Sequence, residues 1–296
     1  MTTAANLHTG LSDINVGEQH TIDDTLRLVS AALMHVSTSP RLDAEVLLMH
    51  VAGISRAELL AYPERRLHPL QQRRLEVLLD RRRRGEPVAY LRGMREFWSM
   101  ELKVSRDTLI PRPETELLVE QALARIPENT ELTLFDVGTG CGAVALALAK
   151  ERPCCRVIAT DHSLTALRVA RQNAESHRLA HVQLRAGEWF APLAGECAHL
   201  IVSNPPYIRR DDAHLILGDV RFEPKCALIA GQDGLAAIRH ITQHARNHLH
   251  PGGWLLLEHA HDQGLAVAQL MHRHGYQEIS CYYDGAGLDR VSAGRL

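Results

Sequence analysis

Residues 136–143 read Asp136-Val137-Gly138-Thr139-Gly140-Cys141-Gly142-Ala143. A β-prone apolar run, residues 132–137, leads into them, and an alanine- and leucine-rich run, 143–151, follows, so the glycines form a turn between a strand and a helix. Glycines at alternate positions let main-chain N–H groups approach a ligand with no side chain between. Outward from this turn the alternation continues. Strands are predicted over 156–160, 182–184, 199–203 and 254–258, and helices over 163–177, 235–249 and 263–274. Two last runs, 276–283 and 290–295, flank Gly285 and Gly287 and are expected to pair antiparallel. The pattern predicts an α/β fold: a doubly wound, seven-stranded, mostly parallel sheet with helices on both faces. Ligands of such sheets bind at the carboxyl ends of the strands, where the glycine turn lies.

The turn itself has two readings. Gly138, Gly140 and Ala143 satisfy the dinucleotide fingerprint, whose third position is Gly or Ala. Asp136 with Gly138, Gly140 and Gly142 instead resembles the cofactor loop of S-adenosylmethionine methyltransferases. Asp161 ends the second strand and suits a carboxylate that accepts from ribose hydroxyls under either reading. A pyrophosphate favours a helix N-terminus with no carboxylate beside it, whereas a cationic sulfonium tolerates Asp136. The loop alone does not choose.

The predicted strand 199–203 runs into Asn204-Pro205-Pro206-Tyr207. Two prolines supply no N–H and fix φ, so the loop presents carbonyls in a stiff arc. A planar amide or amino group has two N–H donors. The Asn204 side-chain oxygen and the Pro205 carbonyl are two acceptors able to hold both and bias the nitrogen towards a nucleophilic shape. Tyr207 suits the flat face of such a group.

Upstream, residues 21–84 read as helices. Thr21 with Asp24, and Ser55 with Glu58, resemble capping boxes. Pro40 follows the N-cap Ser39, Gly53 closes that helix, and a last helix runs from about 69 to 84. Nine arginines face four acidic residues between Ser55 and Arg84, a solvated face or a docking face for an acidic partner. Residues 88–91 and 97–104 read as β-prone runs around Gly93, a hairpin joining two domains. The expected organisation is a flexible segment 1–20, a helical substrate-docking domain 21–85, a β-hairpin linker 86–110 and the α/β domain 111–296.

The whole chain has 296 residues, 33 Lys+Arg against 35 Asp+Glu and a formal charge of −2, so no global basic field argues for bulk nucleic-acid or membrane binding. Six cysteines without a C-x-x-C pair, two of them adjacent (Cys154, Cys155), suit a reduced compartment. The apolar stretch 132–149 is broken by Asp136 and three glycines and is no membrane span. These features predict a cytoplasmic protein. His240, His244 and His248 are spaced i, i+4, i+8 on one predicted helix, but residue 241 is Ile, and the three are expected at a solvated helix edge, with no metal site.

Taken together, the motifs resemble one family across roughly residues 21–296. The carriers are Arg41-Leu42-Asp43-Ala44-Glu45, Gly85-Glu86-Pro87-Val88-Ala89-Tyr90-Leu91, Leu109-Ile110-Pro111-Arg112-Pro113-Glu114-Thr115-Glu116, the glycine loop, Asn204 to Tyr207, Arg221-Phe222-Glu223-Pro224 and Asp233-Gly234-Leu235. The chain is similar to the HemK/PrmC protein-(glutamine-N5) methyltransferases, which modify peptide chain release factors. The resemblance implies a class I S-adenosylmethionine-dependent methyltransferase domain. It implies that Asp136, Gly138, Thr139, Gly140, Cys141, Gly142 and Asp161 hold S-adenosylmethionine (product S-adenosylhomocysteine), with Trp189 against the adenine. Glu188 stands where the family often has Asp. Asn204 is implied to lie beside both cofactor and target glutamine, with Pro205, Pro206 and Tyr207 lining that glutamine's pocket. The implied partner is a release factor carrying a Gly-Gly-Gln motif, met by a monomer, with no membrane and no direct nucleic acid. Alternatives are glutamine methylation of a ribosomal protein, adenine methylation of nucleic acid, or a nicotinamide oxidoreductase. Arg112 either ties the hairpin to the α/β domain or helps close the cofactor pocket.

Overall fold

The computed structural model describes residues 20–296. The expected flexible segment 1–20 therefore lies outside the described residues, apart from His20. The chain divides into two compact units, Met1–Arg92 and Gly93–Leu296. That boundary differs from the expected ones at 85/86 and 110/111.

In the first unit, α1 (Ile22–Leu33), α2 (Pro40–Ala52), α3 (Arg56–Ala61), α4 (Pro69–Arg83) and α5 (Val88–Arg92) pack together. Their ends follow from the sequence. Thr21 Oγ1 accepts from Asp24 N at 3.1 Å while the Asp24 carboxylate accepts from Thr21 N, and Ser55 with Glu58 repeats this reciprocal cap. Gly53, at φ 71°, ends α2 in the left-handed conformation. Leu26, Val29 and Leu33 of α1 meet Leu47, Leu48 and Val51 of α2 and Leu75 and Leu79 of α4 in one core.

Two expectations change in this unit. Residues 88–91 are helical, because Tyr90 N and Leu91 N both donate to the Pro87 carbonyl and burial of Tyr90 and Leu91 outweighs a weak strand preference. The arginine-rich face is also partly internal. Arg82 is buried and donates to Asp43 Oδ2 at 2.8 Å, and Arg81 makes two bonds, of 2.7 and 2.8 Å, to the buried Glu86. Arg73, Arg74 and Arg83 are exposed.

The second unit opens with a hairpin, β1 (Met94–Phe97) and β2 (Met100–Lys103), turned by Trp98 and Ser99 at φ 53° and 51°. Both turn residues are left-handed, as a tight two-residue hairpin turn requires. There follow α6 (Glu116–Leu123), β3 (Thr133–Val137), α7 (Ala143–Glu151), β4 (Arg156–Asp161), α8 (Leu164–Ser176), β5 (Gln183–Ala186), β6 (Ala198–Ser203), α9 (Ala236–Ala245), β7 (Leu249–Glu258), α10 (Gly264–Arg273), β8 (Gln277–Tyr283) and β9 (Asp289–Arg295). The hairpin is strapped to this unit at its tip. Trp98 N donates to Glu116, Trp98 Nε1 to Glu151, and Lys150 Nζ to the Trp98 carbonyl.

The seven strands lie in the order β5-β4-β3-β6-β7-β9-β8, parallel except for β9, which runs antiparallel to both neighbours. The two final runs thus pair as expected. Chain order reverses direction between β3 and β6, so the crevice at their carboxyl ends is the topological switch point. α7 is buried on nearly every position, from Ala143 to Ala149, as a central helix against a parallel sheet must be. The main core gathers Phe135, Ile158, Ile201, Leu255 and Leu257 from the strands with Ile238 and Ile241 of α9.

Candidate active site

The loop after β3 is built by its glycines. Gly138, Gly140 and Gly142 all have positive φ. At Gly142, the N-cap of α7, a Cβ would lie 3.2 Å from the Ala170 Cβ, so α7 and α8 pack closely only because the side chain is absent. Gly138 N and Thr139 N both donate to the Thr160 carbonyl of β4 at 2.9 Å. Gly140 N donates to Asp161 Oδ2 at 2.8 Å, and Ser163 N donates to Asp161 Oδ1 at 2.8 Å. The Asp161 carboxylate thus clamps the loops after β3 and β4 together, and each oxygen keeps a lone pair for a further donor.

Asp136 is buried below the loop, where its Oδ2 accepts from Thr139 Oγ1 at 2.6 Å and Ala145 N at 3.1 Å. Burial pushes its pKa up to about 6, with Asp161 adding to the shift. The Cys141 thiol is pushed up to about 12 by burial and is no nucleophile.

Above the loop is a cavity of about 440 Å³, within the ~300–1,000 Å³ of small-molecule sites. Asp136, Gly138, Thr139, Gly140, Cys141, Asp161, Glu188, Trp189 and Asn204 line it. Gly142, Pro205, Pro206 and Tyr207, also expected at the site, are not among its lining residues. Trp189 is held at φ 47°, a left-handed conformation unusual for a bulky residue, with its carbonyl accepting from Thr160 Oγ1 at 3.0 Å. Its ring packs beside Gly138.

Asn204 follows β6, so it stands next to the glycine loop because β6 pairs with β3. Ser203 Oγ donates to the Val137 carbonyl at 2.5 Å and fixes the two strand ends against each other. Asn204 Nδ2 donates to Thr115 Oγ1 at 3.2 Å, while its Oδ1 is buried without a hydrogen-bond partner. Such an orphaned acceptor is what an incoming N–H donor would satisfy. The ring of Tyr207 packs on the main core and its hydroxyl donates to Glu258 Oε1 at 3.3 Å.

Two sequence motifs meet beside the cavity lining. Arg112 of the Pro-Arg-Pro motif donates to Glu223 Oε1 at 2.7 Å, and Pro111, Thr115, Pro224 and Cys226 from the joined segments line the pocket. Arg112 thus ties together two segments that each contribute residues to the pocket lining.

His240 and His244 stack on each other, and His248 stands apart. α9 ends at Ala245 and His248 sits in a separate 3-10 turn, because the chain must tighten to enter β7 at Leu249. His248 stacks on Phe190, and His240 lies between His244 and Trp189.

Asn173 was not anticipated from the sequence. It is fully buried in α8, accepts from Lys103 N at 2.7 Å, and donates to the Lys103 carbonyl at 3.0 Å and the Cys141 carbonyl at 2.9 Å. It ties the hairpin to the glycine loop. The available signal was a polar residue on the apolar stripe of Ala166, Leu167, Ala170 and Ala174. Asn173→Leu, which removes three hydrogen bonds to the Lys103 and Cys141 backbone, is expected to destabilise the unit by roughly 2–4 kcal/mol. Urea unfolding reads this directly, and a wild-type midpoint would refute it.

The seven-stranded, mostly parallel sheet with its reversed β9, and the pocket at the carboxyl ends of its central strands, are the architecture of a class I methyltransferase. A methyltransferase from Pyrococcus furiosus has the same fold at 18% identity, with a TM-score of 0.52 over 77% of this chain and 98% of its own. Residues 24–93 match the PrmC N-terminal domain and residues 113–220 the methyltransferase small domain. The release factor glutamine methyltransferase of Salmonella typhimurium is 51% identical, over 88% of this chain and 94% of its own length. That of Escherichia coli is 50% identical over the same shares. The chain belongs to the release factor glutamine methyltransferases.

Proposed function

We propose that the chain transfers a methyl group from S-adenosylmethionine to the side-chain amide nitrogen of the glutamine in the Gly-Gly-Gln motif of peptide chain release factors. The observation that carries this reading is the buried, unpartnered Oδ1 of Asn204 at the wall of the glycine-loop cavity. When bound, S-adenosylmethionine supplies an electrophilic methyl on a cationic sulfonium. Asp161 suits the ribose hydroxyls, the loop 138–142 the amino-acid portion, and Trp189, with Glu188 at the rim, the adenine. Asp136 adds a negative field compatible with a cation.

Asn204 Oδ1 and the Pro205 carbonyl then accept the two N–H bonds of the glutamine amide and turn its lone pair towards the pocket. Pro206 and Tyr207 shape the remainder of the glutamine site. The amide nitrogen forms its bond to the methyl carbon as the carbon–sulfur bond breaks. The surplus proton leaves the nitrogen afterwards, so no strong base is required. The reaction belongs in the cytoplasm, where translation terminates, and is expected of a monomer. Among the described residues no helix is long and apolar enough to cross a membrane. The exposed Arg73, Arg74 and Arg83 of the helical unit offer a docking face, while Arg81 and Arg82 serve the fold.

The test is transfer of labelled methyl from S-adenosylmethionine to a purified release factor, beside the same factor with its Gly-Gly-Gln glutamine replaced. Label on the wild-type factor alone is expected. Label on both would move the target elsewhere, and label on neither would overturn the substrate.

A further inference from the structure

Two residues outside the cavity reach the main chain of the loop that carries the Asn204 and Pro205 acceptors. Gly234, in the Asp233-Gly234-Leu235 motif before α9, and Gln263, at the start of α10, are both buried, and both meet the main-chain carbonyl of Tyr207. We propose that Gly234 and Gln263 are positioning residues that fix the Asn204–Tyr207 loop, and with it the two acceptors for the target amide. The proposal rests on the functional reading above.

Gln263 Oε1 accepts from Ala260 N at 3.0 Å and Gln263 N donates to the Ala260 carbonyl at 2.9 Å, so the side chain is anchored at its oxygen end. Its Nε2 donates to the Tyr207 carbonyl at 3.1 Å and to the Gly234 carbonyl at 3.3 Å. A primary amide has two N–H bonds, and both are spent here on main-chain carbonyls. Gly234 has φ 75°, and a Cβ at that position would lie 2.4 Å from the Tyr207 oxygen and 2.8 Å from Gln263 Nε2. No side chain fits between them. The turn that bears Gly234 is itself held, since Asp233 Oδ1 accepts from Leu235 N at 3.1 Å and Asp233 Oδ2 accepts from Arg239.

The loop has anchors at both ends. Before it, the Ser203 hydroxyl donates to the Val137 carbonyl. After it, Ile208 N donates to the Leu228 carbonyl at 2.8 Å, and Ala230 N to the Ile208 carbonyl at 2.9 Å. Between these anchors Pro205 and Pro206 lock φ, which leaves few soft torsions to absorb a displacement. A Tyr207 carbonyl that moves therefore carries the Pro205 carbonyl and the Asn204 side chain with it. Neither Gly234 nor Gln263 lines the cavity, so their effect falls on the amide acceptors and not on the cofactor.

The experiment measures kcat and KM for release-factor methylation in wild type, Gly234→Ala, Gln263→Glu, Gln263→Met and Gly275→Ala. S-adenosylhomocysteine binding is followed calorimetrically in each, and its stoichiometry counts the folded enzyme. Gln263→Glu keeps an acceptor for Ala260 N but turns a carboxylate oxygen on the two carbonyls, whereas Gln263→Met loses both ends at similar volume. Gly275, at φ 89° with nothing within 4 Å of an added Cβ, carries the same backbone strain without touching the loop. Expected is a fall in kcat, per folded enzyme, of about 10²-fold for Gly234→Ala and about 10-fold or more for both Gln263 variants. KM for the factor and cofactor affinity should stay within a few-fold of wild type, and Gly275→Ala should keep its kcat. A wild-type kcat in Gln263→Glu, or losses no larger than the loss of cofactor-binding sites, would overturn the positioning role. So would a Gly275→Ala loss equal to that of Gly234→Ala. Should Gly234→Ala fail to fold, the two Gln263 variants still decide. Wild-type enzyme that leaves the factor unlabelled would overturn the functional reading beneath it.

Discussion

Asn204→Ala is expected to lower kcat for release-factor methylation by about 10²–10³, by analogy with removal of one oriented donor from an oxyanion site. The argument is local. The backbone at this position is fixed by pairing of β6 with β3 and β7 and by the Ser203 hydroxyl on the Val137 carbonyl, so deleting the amide leaves the loop in place. The bond that is lost, Asn204 Nδ2 to Thr115 Oγ1, is a neutral one worth about 1 kcal/mol. The protein should therefore fold and bind S-adenosylhomocysteine within a few-fold of wild type. What disappears is the only side-chain acceptor at the cavity wall that is buried and unpartnered among the described residues. Labelled methyl transfer at saturating S-adenosylmethionine, paired with calorimetry, checks both halves. Turnover near wild type with cofactor binding intact would remove Asn204 from the chemistry.

That Asn204 and the glycine loop belong to one site was legible only by inference, since 66 residues separate Ser203 from Val137 and strand order is not written in a local pattern. The loop itself was legible because alternate glycines have few other uses, and α/β alternation is a strong periodic signal. Residues 88–91 were misread because four β-prone residues carry less free energy than a proline-started turn buried against a helical core. Arg112 and Glu223 were each marked by a motif, but which one answered the other depended on a chain reversal 111 residues long.

That pair carries the second large effect. Glu223 is 4% exposed and its Oε2 has no hydrogen-bond partner, so the Arg112 guanidinium is its principal counter-charge. Arg112→Ala leaves a buried carboxylate alone, and removal of one member of such a pair typically destabilises by about 3–5 kcal/mol; with Arg112 itself about a third exposed, the lower end is expected. The loss should depend on pH in a set direction. Burial already raises Glu223 to about 7, from 4.5, in spite of Arg112. A carboxyl raised on folding contributes stability below its unfolded pKa and loses it as pH rises through the folded one. Without Arg112 the folded pKa rises further, so the variant is least affected near pH 5, where Glu223 is neutral in both proteins. It is most affected above pH 8, where wild type pairs a carboxylate and the variant strands one. Thermal unfolding should show wild type and Arg112→Ala converging at pH 5 and parting by roughly 6–12 °C at pH 8.5. Because the pair joins two segments that line the cavity, S-adenosylhomocysteine affinity should fall in the same pH range. A melting difference independent of pH would mean that Arg112 stabilises by packing alone.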